Sequence, residues 1–261
     1  MTPEAAALVP ATRNALSVLL LAMADDEFVI GFSDSEWTGI APMLEEDVAM
    51  SSIAQDELGH AQALYGLLAD VVDDGRDADA IAYDRPPEGY LHAALLDHPR
   101  GDWADAIARR YLYDTADSIR LAALAESSFE PLRQLAGKIA REERYHLMHV
   151  SAWLERLATT PGEPRRRIID ALDRLVGDGG TVLAPLPDEL SLVMAGIVDA
   201  TAEELDIRWR TRIGRVLDRL DLPMPAPVAD PGSARTKHSE AFRQLWTEFT
   251  SVRRSQPGAT W

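Results

Sequence analysis

Apolar residues recur every three or four positions along most of this chain, which is the period of an amphipathic α-helix. The sequence shows no convincing alternation of apolar and polar residues of the kind that marks a β-strand. Glycine and proline cluster between the periodic segments, as in TTPGEP and GDGG, where helices are expected to begin or end. The pattern therefore predicts an all-α protein with helices at about 11–33, 43–70, 102–127, 131–158, 164–177, 188–219 and 238–254.

The lengths of the connections predict how these helices are arranged. Short turns join the first helix to the second and the third to the fourth, so each pair should be antiparallel. A long connection rich in Asp and Pro, at about 71–100, separates the two pairs. Four long helices with one long crossover are typical of a ferritin-like four-helix bundle.

We therefore expect a single ferritin-like domain over residues 1–261. Its core bundle should occupy about 11–158, and additional C-terminal helices at about 164–254 should lie outside the bundle. An irregular linker, LPMPAPVADPG, precedes the last helix, and Trp261 ends a short tail.

Two of the predicted helices carry ionisable residues on the face that should be buried. The second helix places Glu57 and His60 in its apolar stripe, and the fourth places Glu143 and His146 in the same way. Both pairs are spaced Glu-x-x-His, which puts the two side chains one turn apart on one face. Because a carboxylate buried without a partner is strongly destabilising, each of these acids must meet a cation or a hydrogen-bond donor.

The first and third helices each add an acid at the same level. Glu27 stands in the stripe of the first helix, 30 residues before Glu57, and Asp114 stands in that of the third, 29 residues before Glu143. In two antiparallel pairs these offsets bring the four acids to a similar height. Asp117 lies on a slightly rotated face of the third helix and is a rival to Asp114 as the fourth carboxylate.

Four carboxylates and two imidazoles arranged in this way form the ligand set of di-iron and di-manganese bundle proteins. Two divalent cations would offset four buried acids, and both ligand types suit iron. A metal-free site, in which the same residues satisfy each other by hydrogen bonds, is the alternative that the sequence leaves open. The predicted metal ligands are Glu27, Glu57, His60, Asp114, Glu143 and His146, and no role is assigned to His92, His98 or His238.

The composition mainly excludes classes of partner. The formal net charge is −17, with 26 Lys and Arg against 43 Asp and Glu, so the surface should repel nucleic acid. The absence of cysteine excludes disulfides and thiolate ligands. No apolar run is long enough for a membrane span, and the first ten residues lack the basic start of a secretory signal, so we expect a cytoplasmic protein.

A family resemblance is carried by three stretches: MADDEFVIGFSDSEWTGIAPMLEEDVAMSSIAQDELGHAQALYGLL, DWADAIARRYLYDTADSIRL and REERYHLMHVSAWLERL. They are similar to the C-subunit family of phenylacetyl-CoA epoxidases. The resemblance covers about residues 15–160 and extends more loosely to KHSEAFRQLWTEF near the C-terminus. It implies a ferritin-like component of a multicomponent bacterial monooxygenase that epoxidises phenylacetyl-CoA in aerobic phenylacetate degradation.

The resemblance also implies the partners. In this family the catalytic A-type component carries the working di-iron centre and binds the CoA ester, and a reductase component supplies electrons. The C-type component is the structural partner of the catalytic one and is usually described as lacking a functional metal centre. This chain departs from that description, because all six predicted ligand positions can coordinate a metal.

Two functions are therefore compatible with the sequence. The first is an auxiliary epoxidase subunit, and the alternative is a self-sufficient di-iron oxidase or oxygenase that uses its own Glu-x-x-His pairs. Iron storage is a weaker third hypothesis, because extra C-terminal helices argue against a cage. The last third of the chain holds aromatic residues that either form an interface or pack the outer helices, namely Trp209, Phe242, Trp246, Phe249 and Trp261.

Overall fold

The structure is a computed structural model, and it describes residues 2–224 and 235–256. The predicted linker from residue 225 onward and Trp261 lie outside the described residues. The helices are α1 (Pro3–Ala7), α2 (Pro10–Ser35), α3 (Leu44–Val72), α4 (Ala78–Tyr83), α5 (Trp103–Ala123), α6 (Glu130–Thr159), α7 (Glu163–Gly179), α8 (Glu189–Met194), α9 (Ala202–Arg219), α10 (Glu240–Phe249) and α11 (Ser251–Ser255). Since the two described ranges contain no β-strand, the all-α prediction is confirmed.

Four long helices, α2, α3, α5 and α6, form the bundle. α2 and α3 are antiparallel: Tyr65 donates a 2.5 Å hydrogen bond to Asp25, and further along Gly31 faces Glu57. α5 and α6 are antiparallel as well, because Trp103 at the start of α5 stacks edge-on against Trp153 near the end of α6.

The order of the helices around the bundle follows from two further pairs of contacts. Arg109 and Arg120 of α5 reach Ser33 and Asp26 of α2, so these two helices are antiparallel. His60 and Glu46 of α3 reach Glu142 and His149 of α6, so this pair is antiparallel too. α3 and α5 therefore run in the same direction, which the long crossover between them permits. This is ferritin-like connectivity, and the prediction of such a bundle with outer C-terminal helices is confirmed.

Gly31 allows α2 and α3 to approach closely beside the centre of the bundle. A Cβ added to Gly31 would lie 3.1 Å from Cβ of Glu57 and 3.1 Å from Cγ of Leu58. Such distances are tighter than most real contacts, so a larger residue would push the two helices apart. The glycine thus helps to hold Glu57 in the middle of the bundle.

Three consecutive acids on α2, at positions 25–27, are fully buried and meet different partners. Successive helical residues point about 100° apart, so the three side chains leave the helix in different directions. Asp25 accepts hydrogen bonds from Arg85 and from the backbone N–H of Leu91, both in the crossover. The first acid of the run therefore ties the crossover to the bundle.

Asp26 lies between two buried guanidinium groups. Arg120 of α5 donates a 2.7 Å hydrogen bond to Asp26, and Arg235, in the segment before α10, donates one of 3.0 Å. The backbone N–H of Ala93 adds a further 2.8 Å bond. Burial alone would raise the pKa of Asp26, but the two arginines lower it, so this carboxylate is ionised and holds three segments together.

The predicted helix at 188–219 is wrong, because the structure divides it into α8 and α9. Gly196 has a φ of 69°, a backbone conformation that residues other than glycine rarely adopt. The chain turns at this glycine, just after the end of α8. α9 then starts from a capping box in which Thr201 and Glu204 bond each other's backbone N–H. Two smaller differences are that the third bundle helix ends at Ala123 and that the last predicted helix divides at Thr250.

The aromatic residues of the outer helices pack inward. Trp209 is fully buried, and Phe242 and Phe249 are 2% and 8% exposed. Trp246 is half-buried and donates a 3.0 Å hydrogen bond to the backbone carbonyl of Arg85. These four residues therefore stabilise the outer helices on the bundle. None of the helices in the described ranges combines the length and apolar character of a membrane span.

Candidate metal centre

The six predicted ligands all lie in the interior of the bundle. Each is between 0% and 4% exposed, and they come from all four bundle helices: Glu27, Glu57, His60, Asp114, Glu143 and His146. The helical periodicity explains this placement, since each residue continues the apolar stripe of its own helix. Buried so deeply, these ionisable groups depend on one another and on neighbouring side chains for their polar contacts.

Four of the six form a compact group. Ligand atoms of Glu27, Glu57, His60 and Glu143 all lie within 4.8 Å of one another. Nδ1 of His60 is 3.4 Å from Oε2 of Glu27, 3.8 Å from Oε2 of Glu57 and 3.5 Å from Oε1 of Glu143. We call these four residues the first half of the centre.

The two imidazoles share one orientation. Nε2 of His60 bonds Oε2 of Glu142 at 2.7 Å, and Nε2 of His146 bonds Oδ2 of Asp56 at 3.2 Å. An ionised carboxylate only accepts, so Nε2 carries a proton in both rings. Each Nδ1 therefore points inward, toward the carboxylates on the bundle axis.

Glu142 and Asp56 were not predicted as partners of the histidines. Each is the residue directly before an inward glutamate, in the pairs Asp56-Glu57 and Glu142-Glu143. The signal available in the sequence was therefore an acidic doublet in both Glu-x-x-His helices. Outer carboxylates of this kind orient histidine ligands in metal proteins.

Arg110 is the buried charged residue at the centre that the sequence analysis missed altogether. Its guanidinium is fully buried and donates a 2.5 Å hydrogen bond to Oε1 of Glu57. Its other terminal nitrogen, Nη2, lies 3.0 Å from Oδ1 of Asp114, one turn further along α5, and Nη1 lies 3.5 Å from Oδ2 of Asp34. The positive charge therefore stands between acids that were expected to bind a second metal.

Asp114 and His146, with Arg110, form what we call the second half of the centre. Nδ1 of His146 bonds Oε1 of Glu143 at 2.9 Å and lies 3.3 Å from Oε1 of Glu57. The rival acid Asp117 is also buried, but it accepts hydrogen bonds of 2.6 and 2.9 Å from Arg120. Asp114 is therefore the acid of α5 that faces Arg110.

The start of α5 positions Arg110 and Asp114. Asp102 accepts hydrogen bonds from the backbone of Ala104 and Asp105, and Asp105 in turn accepts one from the backbone N–H of Asp102. This capping box fixes the first turn and hence the rotation of the helix. Eight and twelve residues beyond Asp102, Arg110 and Asp114 then fall on one face, as the 3.6-residue repeat requires.

Comparison with known proteins decides the family of this bundle. A family model described as Phenylacetic acid catabolic protein matches residues 1–261. The chain belongs to the phenylacetic acid catabolic protein family. The family resemblance predicted from three stretches of sequence is thereby confirmed.

Two relatives from Escherichia coli (strain K12) align with this member of the family. One is the C subunit of 1,2-phenylacetyl-CoA epoxidase, which is 27% identical over 249 residues, covering 95% of this chain and 100% of the relative. The other is the A subunit of 1,2-phenylacetyl-CoA epoxidase, which is 26% identical over 236 residues, covering 88% of this chain and 74% of the relative.

The pKa values of the two glutamates Glu27 and Glu57 are shifted in opposite directions. Burial and the neighbouring charge of Glu57 raise the pKa of Glu27 well above its usual range. Burial alone would do the same to Glu57, but Arg110 and the adjacent hydrogen bonds lower its pKa well below that range. Burial lowers the histidine pKa values, yet the neighbouring glutamates raise them to about 12 for His60 and about 11 for His146.

The donor atoms test whether the centre suits metal ions. Within the part of the chain that the structure describes, Oε2 of Glu27, Oε2 of Glu57, Nδ1 of His60 and Oε2 of Glu143 lack a hydrogen-bond partner. One such atom comes from each residue of the first half, so that half suits a single cation. Both oxygens of Asp114, in the second half, likewise lack a hydrogen-bond partner among the described residues. The guanidinium of Arg110 nevertheless lies 3.0 Å from Asp114 and bonds Glu57, so a second cation there would lie beside a fixed positive charge.

A second carboxylate–histidine group lies away from the bundle centre. Ligand atoms of His92, Asp97 and His238 lie within 4.8 Å of one another, and the two imidazole rings stack at 4.5 Å. Nε2 of His238 donates a 2.9 Å hydrogen bond to the carbonyl of Tyr90. The group joins the crossover to the start of α10, a contact that the sequence analysis did not foresee.

Proposed function

We propose that this chain is the auxiliary subunit of a phenylacetyl-CoA epoxidase and pairs with a catalytic subunit of the same fold. Alignment with the whole of the C-type relative, but with only 74% of the A-type relative, supports this assignment among the two types. The acidic surface supports it as well. A net charge of −17 opposes binding of a polyanionic CoA ester, so the catalytic partner would hold the substrate.

The observation that carries the auxiliary role is the buried position of Arg110. An oxygenase that uses two irons needs both halves of the centre for metal. Here a fixed positive charge lies 2.5 Å from Glu57 and 3.0 Å from Asp114. A second iron in this half would be repelled by the guanidinium and would compete with it for the same carboxylates.

The alternative, a self-sufficient di-iron oxidase, is favoured by one observation. All six predicted ligands converge in the bundle and are buried. In that function Glu27 and His60 would hold one iron, Asp114 and His146 the other, and the remaining two glutamates would serve both. This alternative would require Arg110 to leave its present position.

In the auxiliary role the complex would take its electrons from a reductase component and would work in the cytoplasm. Both expectations rest on the family resemblance and on the two epoxidase components among the relatives. Within this complex the present chain would support the catalytic partner and would not oxidise the substrate itself.

Co-expression with the catalytic partner from the same bacterium tests the proposal. We expect a stable complex that survives size-exclusion chromatography at micromolar concentration. Supplied with reductase, NADPH and O2, the complex should epoxidise phenylacetyl-CoA, whereas this chain alone should not. The proposal fails if the chain stays separate from its partner, or if the isolated chain with added iron forms the epoxide.

Replacement of a central glutamate separates the two functions further. Under the auxiliary function, Glu143→Ala should lower the stability of this chain but leave the epoxidation rate of the assembled complex within about twofold. Under the alternative, the same variant should abolish oxidation. Thermal unfolding of the variant, measured beside the rate, ensures that a lost activity is not simply a lost fold.

A further inference from the structure

We infer that the first half of the centre binds one divalent first-row transition-metal ion, while Arg110 takes the place of a second ion. The centre would then be a mixed site, in which a metal ion and a guanidinium share a bridging carboxylate. This inference concerns the isolated chain and does not depend on pairing with a catalytic partner.

The distances between the donor atoms of the first half suit coordination of a shared metal ion better than they suit direct hydrogen bonds. Nδ1 of His60 lies 3.4 to 3.8 Å from oxygens of Glu27, Glu57 and Glu143, which exceeds good hydrogen-bond length. Ligands held at about 2.0–2.2 Å from one ion lie roughly 3.0–3.5 Å from each other. Small movements of the side chains would therefore bring all four onto a single ion.

The chemistry of the donor set indicates the class of ion. Three carboxylates and one imidazole are ligands of Mn²⁺, Fe²⁺ and Zn²⁺, whereas Ca²⁺ and Mg²⁺ prefer oxygen alone. His60 is oriented for this task by Glu142, which accepts from Nε2 and leaves Nδ1 facing the carboxylates. Glu142 is thus a positioning residue for the inferred site.

Glu57 connects the two halves. Its Oε1 accepts a hydrogen bond from Arg110, whereas its Oε2 faces His60 and has no hydrogen-bond partner among the described residues. A carboxylate that bridges two metal ions would divide its oxygens in the same way. Arg110 therefore occupies the electrostatic position of the second ion.

The charges also favour one ion over two. Arg110 already contributes one fixed positive charge to the four carboxylates of the centre, on Glu27, Glu57, Asp114 and Glu143, and it also lies 3.5 Å from a fifth buried acid, Asp34. A divalent ion in the first half would lie on the side of Glu57 away from the guanidinium. A second ion would lie beside the guanidinium, and the repulsion between two positive charges in a buried site is unfavourable.

Metal titration of the full-length chain tests the inference. The chelator-treated protein is loaded with Mn²⁺, with Zn²⁺ or anaerobically with Fe²⁺, desalted, and analysed for metal per chain. We expect one equivalent. Bound Mn²⁺ should give the six-line electron paramagnetic resonance spectrum of an isolated ion and no exchange-coupled pair. Zero or two equivalents would overturn the inference.

Single-residue variants test whether the bound ion lies in the first half of the centre. Glu27→Gln should abolish binding, and Glu142→Ala should weaken it about 10- to 100-fold by releasing His60. Asp114→Asn should leave one equivalent, because Asp114 lies on the side of Arg110. Retention of one tightly bound ion in Glu27→Gln, or its loss in Asp114→Asn, would contradict the assignment.

Arg110→Gln tests whether the arginine excludes the second ion. We expect this variant to bind two equivalents and to show a coupled pair with Mn²⁺. Arg109→Gln is the matched control: Arg109 is also buried, but it donates to Ser33 and to the carbonyl of Pro99, so one equivalent should remain. If Arg110→Gln folds and binds only one ion, the exclusion is refuted. If it does not fold, the wild-type spectrum and the Asp114→Asn result still decide the inference.

Discussion

Arg110 donates a 2.5 Å hydrogen bond to Glu57 at the centre of the bundle, and neither side chain is exposed to solvent. A buried ion pair of this kind adds little to stability compared with apolar residues, but breaking it is costly because it leaves a charge without a partner. The arginine therefore places a fixed positive charge beside Glu57 and Asp114.

Removal of the Arg110 charge should destabilise the metal-free protein. We expect Arg110→Met to lower the free energy of unfolding by about 3–5 kcal/mol, because Glu57 and Asp114 would lose their cation. Urea denaturation after chelator treatment measures this change, and added Mn²⁺ should restore part of it. A loss below about 1 kcal/mol would show that the arginine is not required to balance the acids.

The Asp26 network should be equally sensitive. Asp26→Asn removes the charge that faces Arg120 and Arg235, both 5% exposed, and should cost about 3–5 kcal/mol. Asp74→Asn is the control, since Asp74 pairs with Arg76 at the surface and its loss should not shift the urea midpoint. Equal midpoints for the two variants would refute the role assigned to Asp26.

Two glycines near the end of α7 give a matched pair. A Cβ at Gly179 would lie 2.6 Å from the buried ring of Trp209, so Gly179→Ala should destabilise by about 1–3 kcal/mol. A Cβ at Gly177 meets nothing within 4 Å among the described residues, so Gly177→Ala should stabilise by up to about 1 kcal/mol. Thermal unfolding shows whether each variant gains or loses stability. A neutral or stabilising Gly179→Ala would contradict the packing of α9 on α7.

Stability should depend on pH through His92. Burial lowers the pKa of His92 below its ordinary 6.5, despite the neighbouring carboxylate of Asp97. The folded state thus disfavours the charged ring, and His92 destabilises the fold as pH falls below about 6.5, by at most about 1.4 kcal/mol per pH unit. Asp97 has a lowered pKa, so its contribution is lost only at more acidic pH.

His60 and His146 change the stability with pH in the opposite direction to His92. Their pKa values are raised, so their contribution is complete below about 6.5 and is lost as pH rises toward 11 or 12. The effect of His92 is therefore measured as a difference between wild type and His92→Gln, from urea midpoints at about pH 7.5 and 5.5, on either side of the ordinary histidine pKa. A variant that loses as much stability on acidification as wild type would refute the prediction.

Much of the candidate centre could be predicted because helical periodicity is local. Glu27, Glu57, His60 and Glu143 each continue an apolar stripe, and the structure brings their side chains together. The fold followed from similar evidence, namely helix lengths and one long crossover. Periodicity alone failed at Gly196. The apolar pattern at 188–219 predicted one continuous helix, but the positive φ of this glycine allows a turn within it.

Arg110 could not be predicted in the same way. An arginine next to another arginine suggests a solvent-facing side of the helix. In the structure α7 and α9 cover the outer side of α5, so nearly every residue of that helix is buried and no polar face remains. The partners of Asp25 and Asp26 were missed for a related reason: Arg85 and Arg235 lie far away in sequence, and only the tertiary fold brings them together.

Anomalous scattering from crystals of the complex with the catalytic partner tests the central claim most directly. Data collected at the manganese, iron and zinc absorption edges locate and identify ions of these three metals. We predict a single peak in this chain, among Glu27, Glu57, His60 and Glu143, with the Arg110 guanidinium beside Asp114. Two peaks in this chain, with Arg110 displaced from Glu57, would contradict the account and would restore the di-iron oxidase.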